Sequence, residues 1–101
     1  MIDYRFPEER EYVRFIADKM GRSSIVDLLE GTGHPSKSDA RAIFEFYWDM
    51  VDFSIELEKK EDLPWAENAE FWSEKISHSI ISYLKRSGHE DVLKEMLSSM
   101  K

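Results

Sequence analysis

Residues 36–60 read SKSDARAIFEFYWDMVDFSIELEKK, and the periodicity of this stretch decides the fold. Ser36 followed by Asp39 is a capping box, so a helix is expected to begin at Lys37 and to run to Lys60. Residues were placed at 100° steps around that helix. Ala40, Ile43, Phe46, Tyr47, Met50, Val51, Phe53, Ile55 and Leu57 then spread over roughly 220°, and Trp48 widens the arc. A helix lying on a protein surface needs only about half of that width. The segment is therefore expected to sit at the centre of a helical protein, or to offer one flank to a partner.

The flanking sequence continues the same pattern. Pro7 to Met20 reads as a helix, with Pro7 at its first position, Glu8 and Glu9 near the positive end of its dipole, and Gly21 as its stop. Ile25 to Glu30 is a short helix, with Ser24 and Asp27 as a capping box and Gly31 as the close. Its IVDLL core would also suit a strand; the cap and the glycine favour a helix. Beyond the long helix, Leu63 to Ser87 forms a fourth, begun by Asp62 and Pro64 and closed by Gly88. Glu90 to Met100 forms a fifth, with Val92, Leu93, Met96, Leu97 and Met100 on one face. No repeat and no dividing linker is visible. The expectation is one all-α domain over residues 1–101, a compact bundle of about five helices around a long central antiparallel pair.

Composition limits the function classes. Apolar residues make up 42% and charged residues 35%, which suits a folded globule rather than a disordered chain. The net charge is −7, and each third of the chain is net acidic. Nucleic-acid affinity rests on neutralising phosphates, so DNA or RNA is a poor expectation and a basic partner a better one. With no cysteine, disulfides, thiolate catalysis and cysteine-bound zinc are excluded. The opening MIDYRFPEERE is charged from residue 3 and does not read as a signal peptide, and no apolar run reaches membrane-spanning length. A cytoplasmic protein without membrane contact is expected.

Several constellations invite a chemical reading. The loop GTGHPSKS, residues 31–38, places Gly31, Lys37 and Ser38 as in a phosphate-binding P-loop, but Ser36 stands where the second glycine belongs and Pro35 removes an N–H donor. A weaker anion site is open to His34, Ser36, Lys37 and Ser38 at a helix N-terminus. The alternative is a helix cap in an ordinary loop. His34 and His89 lie in loops without a neighbouring nucleophile or base.

Asp49-x-x-Asp52 and Glu67-x-x-Glu70 form two acidic pairs separated by 14 residues. This arrangement resembles the paired acidic motifs of the all-α nucleoside triphosphate pyrophosphohydrolases. The resemblance implies that Asp49, Asp52, Glu67 and Glu70 would hold Mg²⁺ between adjacent helices. The helical wheel offers another reading. Glu45, Asp49, Asp52 and Glu56 form one stripe opposite the apolar centre of their helix, and Glu67, Glu70, Glu74 and His78 form another, as solvated faces do.

The two helices at 25–30 and 37–60 also fit a helix-turn-helix DNA-binding regulator, reading through Lys37, Ser38 and Arg41. The turn between them is longer than usual for that motif. Lastly, the long helices carry more aromatic and methionine surface than one small bundle covers comfortably. Phe44, Trp48, Phe71, Ile81 and Met100 are the candidate interface. On balance the chain reads as a non-enzymatic helical interaction or assembly protein that self-associates and needs no cofactor.

Overall fold

The computed structural model describes residues 2–31, 35–60 and 65–99. It is an all-helical bundle, as the periodicity predicts. α1 spans Pro7–Lys19, α2 Ser24–Glu30, α3 Lys37–Leu57, α4 Ala69–Arg86 and α5 Glu90–Ser99, with a 3-10 turn at Ala66–Asn68 before α4. The described residues contain no strand. The radius of gyration is 13.1 Å, close to the ~13 Å expected of a chain of about 100 residues packed as one body.

α3 is the central element, touching α2, α4 and α5. Its wide apolar arc is spent on these neighbours: Ala40, Ile43, Phe44, Phe46, Met50 and Leu57 are all buried. Against them pack Tyr12 and Ile16 from α1, Leu29 from α2, Ile76, Ile80 and Leu84 from α4, and Val92 from α5. Each such side chain contributes about 1.5–3 kcal/mol on leaving water.

Two buried polar contacts tie the helices together in this core. Glu9, fully buried, accepts the Phe6 N–H at 2.7 Å and the Ser79 hydroxyl at 3.0 Å. It thereby caps α1 and ties it to α4, a larger role than the dipole contact expected of it. The Tyr12 and Ser54 hydroxyls share a hydrogen bond between α1 and α3. Burial pushes the Tyr12 phenol up to about 12. At the chain start, the Ile2 N–H donates to the Leu29 carbonyl at 2.8 Å and pins the first residues to α2.

Helix ends follow the sequence signals in most places. Ser36 accepts from the Asp39 N–H at 3.1 Å, which is the expected cap of α3. Gly21 and Gly88 adopt φ of +72° and +83°, and the following residues bond back into α1 and α4. These are the left-handed C′ positions that favour glycine.

Three boundaries differ from expectation. Ser24 does not cap α2; it is the first helical residue. Ser23 before it is already in the right-handed helical region and makes no side-chain cap bond. The Ile25 and Val26 N–H groups bond instead to the Arg22 and Ser23 carbonyls. α3 stops at Leu57, and Glu58–Lys60 form a turn. α4 begins at Ala69 rather than Leu63, because Trp65 takes a left-handed φ of +70° that interrupts the helix. Its ring then lies edge-on to Tyr12 at 5.8 Å and to Trp72 at 6.1 Å. Aromatic packing outweighs the roughly 1–2 kcal/mol of such a backbone. Asp62 and Pro64, expected to begin this helix, lie outside the described residues.

Candidate functional site

The two acidic pairs lie in different places. Asp49 and Asp52 face a shallow hollow beside the end of α1, of about 470 Å³, with Lys19, Arg22 and Glu56. Asp49 is neutralised there by Arg22 at 2.6 Å. Glu70 lines a separate groove between α3 and α4, and Glu67 is exposed on the 3-10 turn. Asp49 and Asp52 are thus separated from Glu70, which lies on the opposite flank of α3. Among the described residues, no group of three or more His, Asp or Glu side chains is placed to hold a metal ion.

The start of α3 is occupied from within. The Asp39 carboxylate accepts from the Ser36 N–H at 3.4 Å, closing the capping box across the helix N-terminus. Lys37 reaches Asp91 at 3.9 Å and Arg41 reaches Glu95 at 3.0 Å, both on α5. Ser38 is exposed, and His34 lies outside the described residues. His89 holds the Pro35 carbonyl at 2.6 Å through Nε2. Anion binding and groove reading would both draw on Lys37 and would have to compete with these acidic partners.

The interface candidates are divided between core and surface. Phe44 is core, at 1% exposure, and its ring stacks on Trp48 at 6.2 Å and 21°. It supports the interface from beneath rather than forming it. Trp48 itself is 38% exposed and Phe71 51%, while Ile81 is partly buried and Met100 lies outside the described residues. Ile55, 42% exposed, belongs to the same row of α3. Its signal was legible: it follows Trp48 by seven residues, two turns along one face. Among the described residues, Phe6 and Leu97 are the other large exposed apolar side chains.

Phe71 and Ile81 also line a groove of about 660 Å³ between α3 and α4. Tyr47 and Val51 of α3 form one wall, and Phe71 and Ile81 of α4 the other. Its rim is polar, with Glu58, Glu70, Glu74 and His78. Glu58 accepts the Glu70 N–H at 2.9 Å, which caps the first turn of α4 and sets the end of α3 beside the start of α4. The Phe71 ring is braced edge-on by Trp72 at 5.1 Å and covered by the Lys75 ammonium at 5.4 Å. Ser73 lines the groove with its hydroxyl buried and without a hydrogen-bond partner. The arrangement presents a braced aromatic side chain, Phe71, beside a rim of three carboxylates and His78.

No helix among the described residues is long and apolar enough to cross a membrane. No protein family, no curated protein and no solved structure matches the chain.

Proposed function

We propose that this chain is a non-enzymatic helical interaction module that assembles with a second copy of itself through the α3–α4 face. One observation carries the reading: Phe71 is exposed on the wall of the α3–α4 groove, and Trp48 and Ile55 are exposed in a separate row of α3, although the core of the bundle is filled without them. Scattered exposed apolar residues are ordinary, whereas an apolar groove with an exposed aromatic wall and a charged rim suits an interface. Tyr, Trp and Phe supply most of the binding energy in such patches.

The test is the solution mass, by size-exclusion chromatography with light scattering over a range of concentrations. The wild-type chain is expected to run as a dimer that dissociates on dilution. Phe71→Glu and Trp48→Glu place a charge in the contact and are expected to run as folded monomers, with helix content unchanged by circular dichroism. A wild-type chain that stays monomeric at the highest concentrations refutes the proposal.

A further inference from the structure

Resting on that reading, we infer that the two copies meet along α4 in antiparallel register about a two-fold axis, selected by Glu74 and Lys85. The argument begins with the free stripe of α4. Its inner face is spent on the core through Ala69, Ile76, Ile80 and Leu84. The outer face carries Phe71, Glu74, His78, Ile81 and Lys85 in sequence. Glu74 and Lys85 are both exposed, and neither makes an ion pair within the chain among the described residues.

Their spacing is the key quantity. Eleven residues are about three helical turns, so the two side chains point the same way, about 16 Å apart along the axis. The stripe is therefore polarised, acidic toward its start with Glu70 and Glu74 and basic at its end with Lys85. A parallel copy would set Glu74 against Glu74 and Lys85 against Lys85. An antiparallel copy, related by a two-fold axis between residues 79 and 80, sets each Glu74 against the partner's Lys85, twice by symmetry. The same axis brings His78 over the partner's Ile81 at the centre. It also lays Phe71 near the partner's Gly88, where even a Cβ would meet nothing within 4 Å. Opposite charges fix orientation while Phe71 and Ile81 supply the apolar contact.

A charge-swap series read by sedimentation equilibrium tests the arrangement. Glu74→Lys and Lys85→Glu are each expected to weaken the dimer about tenfold, since each replaces two attractive pairs by two repulsive ones. The double variant restores the pairs in reverse and is expected to return to within about threefold of wild type. Mixing the two single variants is expected to yield a heterodimer tighter than either homodimer. Helix content and melting temperature confirm that each variant is folded. If the wild-type chain dimerises but the single swaps change nothing, or the double swap fails to restore, the antiparallel register is wrong and self-association stands. If the wild-type chain is a monomer, the self-association reading fails and takes the register with it.

Discussion

At the scale of single residues, the polar side chains that matter most bridge elements. Glu30 ends α2 and is clasped by Arg10 and Arg14 of α1. Burial pulls its pKa up, but the hydrogen bonds from the two guanidiniums outweigh burial and hold the carboxyl below its ordinary value of 4.5. A depressed pKa means that the clasp stabilises the fold fully above that ordinary value and is lost as pH falls through the folded value. Glu30→Gln is therefore expected to be less stable than wild type at pH 7, with the difference shrinking in acid. Urea unfolding at pH 7 and pH 3 checks this, and an equal difference at both values would refute it. Glu9 makes a second bridge from inside the core. Glu9→Ala leaves the Phe6 N–H and the Ser79 hydroxyl without an acceptor and is expected to cost about 1–3 kcal/mol. An alanine variant as stable as wild type would show that the bridge contributes nothing.

At the scale of elements, two serine caps with the same sequence signature behave differently. Ser36 bonds the Asp39 N–H, whereas Ser24 lies inside α2 and Ser23 makes no cap bond. Ser36→Ala is expected to cost about 1 kcal/mol, while Ser24→Ala is expected to stay within about 0.5 kcal/mol of wild type. Chemical denaturation of the pair separates them; equal losses would mean that the α2 cap forms after all. Gly88 tests a helix end by a different route. Its φ of +83° strains any L side chain although the space around it is open, so Gly88→Ala is expected to cost about 1 kcal/mol through backbone strain alone. An unchanged unfolding midpoint would exclude that strain.

At the scale of the whole molecule, the core and the docking face make separate demands on α3. Phe46 and Met50 are buried and hold the bundle together, while Trp48 between them in sequence points outward. Phe46→Ala leaves a cavity in the core and is expected to cost about 3–5 kcal/mol. Trp48→Ala loses the stacking on Phe44 and is expected to cost less monomer stability than Phe46→Ala while weakening association. If the proposed dimer forms, association also links stability to concentration. The wild-type melting temperature is then expected to rise as protein concentration rises, and that of Phe71→Glu to stay constant. Scanning calorimetry across a hundredfold concentration range reads both, and a constant wild-type value would argue against assembly.

Much of this architecture was legible from local pattern alone. Helical spacing identified the four longer helices, because a 3.6-residue period of apolar side chains is buried on one face by a helix; α2 was read as a helix from a Ser24 cap, which does not form, and from Gly31. The glycines at 21 and 88 and the cap at Ser36 marked ends whose chemistry is local. The excess apolar width of α3 was also visible, as was the presence of surface aromatics such as Trp48 and Phe71. Tertiary structure decided the rest. The turn of Trp65 depends on Tyr12 and Trp72, which are distant or on another turn, so its broken helix has no local signal. The placement of Phe44 in the core and Ile55 on the surface depends on where α4 and α5 happen to cover α3. Likewise, the acidic pairs share spacing in sequence, yet Glu70 falls on the opposite flank of α3 from Asp49 and Asp52, since spacing along one helix says nothing of how the next is rotated against it. Periodicity records which side of a helix avoids water; only packing determines which neighbour removes it.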